Sequence, residues 1–116
     1  MSKNFPANLE HIQQVMGRLA EQAPDTMKAF SGLHKAGVAE GALNSKIKEL
    51  IALSISVVVR CDGCIAYHVH DALNAGASHE EIVEAIEVAI LMGGGPAVMY
   101  GIEALEALEQ FSEAAA

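Results

Sequence analysis

Apolar residues return every three or four positions through most of this chain, a rhythm that suits helices far better than strands. Leu9, Ile12, Val15, Met16 and Leu19 set the first stripe, with Asn8 placed to cap it and Pro24 to end it. A second helix over 25–35 aligns Met27, Phe30 and Leu33 or His34, and Gly37 and Gly41 mark the loop after it. From Asn44 or Ser45 the stripe resumes at Ile47, Leu50, Ile51, Ile55 and Val58. The β-branched run Ile55–Val59 would suit a strand by itself, but the spacing continues unbroken from Ile47 and no partner strand is evident. A fourth helix opens within 61–64 and stops at Gly76. Ser78 and Glu81 form a capping box for a fifth, which turns Ile82, Ile86, Ala89 and Ile90 inward and breaks at Gly93-Gly94-Gly95-Pro96. The sixth, from about Ala97 to Phe111, offers Ile102, Leu105, Leu108 and Phe111 to the core and Glu103, Glu106 and Glu109 to water; Ala114–Ala116 should fray.

The expected fold is therefore all-α, a bundle of about six helices in a single domain over 1–116, with 43–99 as its central portion. Composition agrees. Hydrophobic residues make up 52% of the chain but aromatics only 4%, so the core must be built from Ala, Leu, Ile, Val and Met. That apolar share is high for a monomer of 116 residues and predicts a homo-oligomer. The formal charge of −8 excludes a nucleic-acid binder and disfavours anionic lipid. Leu50–Val59, the longest apolar stretch, is interrupted by two serines and is too short to span a bilayer. No basic-then-apolar leader opens the sequence, so a cytoplasmic location is expected, where a disulfide is more often catalytic than structural.

The two cysteines sit three apart in Cys61-Asp62-Gly63-Cys64, and His68 follows one helical turn later. This spacing lets a dithiol close into a small disulfide ring, and a thiol needs a nearby base to ionise. On a helix, Cys64 and His68 share a face about 6 Å apart at Cβ, and Cys61 lies at the N-terminus, where unpaired N–H groups favour a thiolate. The imidazole favours Cys64 as the attacking sulfur and the helix end favours Cys61.

Glu49 enters by geometry. If the chain reverses at Asp62 and Gly63, Glu49 lies about 15 Å below the bend and His68 about 10 Å below it, on neighbouring antiparallel helices. A carboxylate there would orient the ring and raise its basicity. Glu49 is also the only acidic residue between Glu40 and Asp62, in an otherwise apolar stretch, and a buried carboxylate needs a partner.

Plainer readings exist for each residue. Two cysteines can be core filler, His68 and His70 ordinary imidazoles, and Glu49 a companion of Lys46 and Lys48 on a wet face. A Cys61–Cys64–His68–His70 zinc site is the weaker reading, because His68 and His70 diverge by about 160° on a helix and only three ligands converge unless Glu49 is the fourth. Gly93-Gly94-Gly95-Pro96 lacks the spacing and lysine of a P-loop and reads as a closely packed interhelix hinge. Neither a metal nor another cofactor is expected.

Lys48-Glu49-Leu50-Ile51-Ala52-Leu53 and Cys61-Asp62-Gly63-Cys64-Ile65-Ala66-Tyr67-His68 closely resemble the carboxymuconolactone decarboxylase superfamily, and within it the alkylhydroperoxidase D-like proteins. Ala75-Gly76-Ala77-Ser78 and Met92-Gly93-Gly94-Gly95-Pro96 add weaker support, and the resemblance runs from about Leu43 to Met99. It implies an alkylhydroperoxidase D-like helical fold in trimers or hexamers, with the Cys-x-x-Cys at the N-terminus of a central helix. It also implies a redox pair in Cys61 and Cys64 and a proton relay in Glu49 and His68. By that analogy Cys64 attacks a hydroperoxide, Cys61 resolves the sulfenic acid, and a lipoyl-type or thioredoxin-like dithiol restores the pair. The best-known branch carries a second histidine between its cysteines where this chain has Gly63, so one relay member is missing. The family's decarboxylases generally lack paired cysteines, which ranks turnover of a small lactone acid, like a non-catalytic oligomeric scaffold, below thiol chemistry.

Overall fold

The structure, a computed structural model, describes residues 3–115. Six helices follow one another: α1 (Phe5–Gln22), α2 (Pro24–Val38), α3 (Ser45–Val58), α4 (Asp62–Asn74), α5 (His79–Gly93) and α6 (Gly95–Ala115). No strand occurs among the described residues, so the β-branched run after Ile55 is helix up to Val58, as its spacing required. No helix among them is long and apolar enough to cross a membrane.

Each boundary has a local cause. Asn4, not Asn8, caps α1 by accepting from the Ala7 N–H at 3.0 Å, and Pro6 sits in the first turn, where its missing donor costs nothing. The Phe5 N–H donates to Gln110 of α6 at 2.7 Å, which pins this entry to the far end of the chain and buries Phe5 completely. Pro24 ends α1 by opening α2 directly after the single residue Ala23. Gly37 lies inside α2 rather than in the loop, which spans 39–44. Lys48 Nζ and Ser45 Oγ each donate at 2.7 Å to carbonyls at the end of α2, to Ala39 and Val38, and close that loop from the α3 side.

The reversal between α3 and α4 lies earlier than expected, at Val59 and Arg60 rather than at Asp62 and Gly63. Cys61 N–H donates to Ser56 O at 3.1 Å and Arg60 N–H to Val57 O at 3.2 Å, the paired bonds of a Schellman turn. That turn requires a left-handed residue, here Arg60 at φ 60°, where the Cβ costs about 1–2 kcal/mol. The same turn ends α4 with Gly76 at φ 94°, which carries no such cost. Ser78 and Glu81 form both bonds of the expected capping box at α5.

The core is one cluster of Leu53, Val57, Ile65, Val69, Ile82, Ile86 and Leu108 with alanines of α4, α5 and α6, closed off by Phe5 and Leu9. The α3 stripe turns outward, and the expected core face of α6 is corrected. On α3 the inward residues are Glu49, Leu53, Ser56 and Val57, while Ile47, Ile51, Ile55 and Val58 face outward. On α6, Ala104 and Ala107 pack inward with Leu108 and Phe111, and Ile102 and Leu105 are exposed. α5 and α6 run close together where Gly101 lies between them: a Cβ there would lie 3.0 Å from the Ile86 Cγ2, and at the hinge a Cβ on Gly93 would lie 2.7 Å from the Ala97 Cβ. Glu103 and Glu106, expected in water, are half-buried and hold Lys3. α6 runs through Ala114 and Ala115, and Ala116 lies outside the described residues.

Candidate active site

α3 and α4 descend side by side from the Arg60 turn, which brings the residue four positions into α3 against the residue six positions into α4. His68 Nδ1 lies 2.7 Å from Glu49 Oε1, a distance at which the ring N–H donates to the carboxylate. Glu49 is only 5% exposed, so the imidazole supplies the partner that its burial demands. The bond commits Nδ1 to the carboxylate and leaves Nε2 as the nitrogen not engaged by Glu49.

Cys61 is the N-cap of α4, and its sulfur accepts from the Cys64 N–H at 3.2 Å. Cys61 and Cys64 are joined by a disulfide, with Cα atoms 5.2 Å apart. An α4 opening at Asp62 explains how the ring closes: the first cysteine stands outside the helix with extended backbone, and the second sits one turn inside it. Asp62, in that first turn, pairs with Lys3, and Glu103 joins them from α6. Asp62 and then Glu103 hold the Lys3 ammonium far above the ordinary lysine range, so this cation stays charged at any working pH.

The four residues singled out in the sequence thus lie on one hairpin, three of them on the wall of one cavity. That cavity, about 830 Å³, opens between the α1–α2 pair and the start of α4. Cys61, Cys64, Tyr67 and His68 line one side; Ile12, Met16, Phe30 and His34 line the other. Its lining is mainly apolar, and Tyr67 reaches across toward the Met16 sulfur at 3.8 Å. Glu49 stands behind His68, outside the lining.

Sequence reasoning missed His34. It was one of two alternatives on an apolar stripe, yet its ring stacks against His68 with centroids 6.5 Å apart and planes inclined at 30°. The helical spacing from Met27 put His34 on the right face, but only the fold of α2 over α4 shows what that face meets. Asp71, one turn after His68, was also passed over, and His70 pairs with it at 3.1 Å instead of joining the cysteines. At Gly63 a Cβ would lie 3.2 Å from the Ile12 Cδ1, so α1 already crowds the place where a larger side chain between the cysteines would begin.

Comparison with known proteins gives this arrangement a lineage. Residues 24–107 match the model of the carboxymuconolactone decarboxylase family. An uncharacterized protein of Cupriavidus necator is 37% identical over 105 residues, covering 90% of this chain and 93% of its own. Among solved structures, a carboxymuconolactone decarboxylase family protein from Legionella pneumophila superposes with a TM-score of 0.91 at 40% identity, over 96% of this chain and 99% of that one. A Thermotoga maritima family protein, for which a part in the antioxidative response has been suggested, reaches a TM-score of 0.83 at 33% identity over 91% of each chain. With the match spanning five of its six helices and these relatives aligned almost end to end, the chain belongs to the carboxymuconolactone decarboxylase family.

Proposed function

We propose that this protein is a thiol-dependent peroxidase and disulfide oxidoreductase, in which Cys61 and Cys64 are the redox pair and Glu49 and His68 the proton relay. The observation that carries the reading is the Glu49–His68 bond, with its buried carboxylate, whose imidazole lines the same apolar cavity as the Cys61–Cys64 pair. The suggested antioxidative part of the Thermotoga maritima relative points the same way.

In the reduced protein, His68 Nε2 takes the Cys64 proton while Glu49 steadies the resulting imidazolium through Nδ1. The Cys64 thiolate attacks one oxygen of a hydroperoxide. The O–O bond breaks, the other oxygen leaves as an alcohol with the proton from His68, and Cys64 becomes a sulfenic acid. Cys61 attacks that sulfur, water departs, and the disulfide of this structure results. Its position at the N-cap suits Cys61 to this second step, because the helix end stabilises its thiolate without an imidazole. A dithiol donor of lipoyl or thioredoxin type returns two electrons by exchange. A largely apolar cavity favours an organic hydroperoxide over hydrogen peroxide and has room for a dithiolane. A cytoplasmic setting would keep such a donor reduced.

The working unit in this reading is a homo-oligomer, a trimer or hexamer. A monomer of 12.2 kDa exposes about 6,100 Å², whereas this chain exposes 7154 Å². Large apolar side chains stand exposed in Ile51 and Ile55 of α3, Leu91 of α5 and Ile102 of α6.

Free thiols counted by mass spectrometry before and after one equivalent of cumene hydroperoxide test the assignment. Loss of both thiols in the parent, and a Cys64→Ser protein that forms no disulfide, are expected. Parent thiols that survive the peroxide would remove the proposal.

A further inference from the structure

Behind the proposed relay the structure gathers a second set of donors that thiol chemistry does not use. One nitrogen of His34 on α2, one carboxylate oxygen of Glu49 on α3 and one of Asp71 on α4 all lie within 4.8 Å of one another. Two carboxylates are thus brought together where Glu49 is buried, and among the described residues neither is paired with a lysine or arginine. Their ion-pair partners are imidazoles alone, His68 on Glu49 and His70 on Asp71. Crowded carboxylates without a fixed cation call for one, and the third group at the cluster is an imidazole, the side chain that transition metals prefer and that magnesium and calcium avoid.

The geometry points to a divalent transition-metal site formed by His34, Glu49 and Asp71, of the zinc class. Donors around a zinc ion at about 2.0–2.2 Å stand about 3.5 Å apart, so the three groups need to close by about 1 Å. His34 is exposed on a helix that buries none of its residues, which leaves α2 free to make that adjustment. Water would complete the coordination. Glu49 keeps its bond to His68 through Oε1 and so becomes the link between the ion and the imidazole, the arrangement that orients histidines beside metals elsewhere. The consequence is a second ligand-responsive element behind the dithiol, since an ion on Glu49 withdraws negative charge from the ring that His68 offers to Cys64.

This site shares Glu49 with the proposed relay but does not depend on thiol turnover, and its test avoids the sulfurs. The disulfide form, in which neither cysteine can ligate, is titrated with Zn²⁺ by calorimetry and with Co²⁺ by visible absorption, with excess Mg²⁺ present. One ion per chain is expected, with affinity at least about tenfold weaker in His34→Ala and in Asp71→Asn and undiminished in His79→Ala, an exposed histidine at the start of α5 outside the cluster. Circular dichroism of the variants without metal checks that each is folded, and exposed His34 is the change that disturbs the chain least. An absence of saturable binding overturns the site. So does binding that His34→Ala and Asp71→Asn leave at the parental affinity, or binding that only His79→Ala removes. None of these results bears on peroxide reactivity, which the thiol count decides separately.

Discussion

The α3–α4 pair and the α1–α2 pair are built alike, two consecutive helices joined by a short turn, but they stand in opposite relation to the core. The first sends Leu53, Val57, Ile65 and Val69 into it and carries both cysteines, Glu49 and His68. The second reaches the core only through Phe5 and Leu9; α2 buries nothing, and Phe30 and Leu33 are more than half exposed. The 2.7 Å Glu49–His68 contact sits on the well-packed pair, and the opposite wall of the cavity belongs to the exposed one. The lesson is a division of labour. Buried packing fixes the geometry of the Glu49–His68 pair, while under the proposed function the exposed helices would set access and selectivity.

The sharpest way to break this comparison is to empty the core on one side only. Leu53→Ala should cost about 2–5 kcal/mol in urea unfolding, whereas Leu33→Ala on α2 should stay within about 0.5 kcal/mol. Similar losses at the two sites would mean that the pairs do not differ as described. Next in size is Glu49→Gln, which keeps the side-chain shape and removes the charge facing His68. It should slow thiol oxidation by about 100-fold with little change in saturation, and stopped-flow quenching with organic hydroperoxide reads it. Phe30→Ala tests the other pair: it should raise KM for a bulky hydroperoxide by about tenfold and leave turnover of hydrogen peroxide nearly as it was. A uniform effect on both substrates would show that α2 does not select.

The smallest effect concerns the link between α3 and the start of α5. The Ser78 backbone N–H and then the Lys46 ammonium hold the Glu81 carboxyl below its ordinary value of 4.5. A depressed carboxyl contributes stability above its unfolded pKa and loses it as pH falls through the folded one. Glu81→Gln should therefore melt slightly below the parent at pH 7, and the gap should close below about pH 4. Melting curves across that range check it.

Much of this was legible in the sequence. Ser78 and Glu81 announced α5 because both capping bonds are made within four residues, and Cys61, Cys64 and His68 announced themselves through spacing that a helix converts directly into proximity. The Glu49–His68 contact was also reachable, since an antiparallel pair with a known turn leaves few registers and a buried charge wants a partner. The faces of α3 and α6 were not. Ile47, Ile51 and Ile55 repeat as a core stripe would, yet they face away from this chain's own core, which takes Leu53 and Val57 instead. Periodicity says that a stripe is apolar and is silent on what lies opposite. Arg60 was missed because its left-handed backbone is imposed by the turn against its own preference.

By itself, then, the sequence determined the helices, their caps and the groups that stand one turn apart, because those depend on hydrogen bonds and side chains within a few residues. The tertiary structure alone decided which apolar stripe turns inward, that α2 lays His34 beside His68, and that Asp71 comes within reach of Glu49. Such meetings join residues tens of positions apart, and they follow from how whole helices pack rather than from any preference their own neighbours could encode.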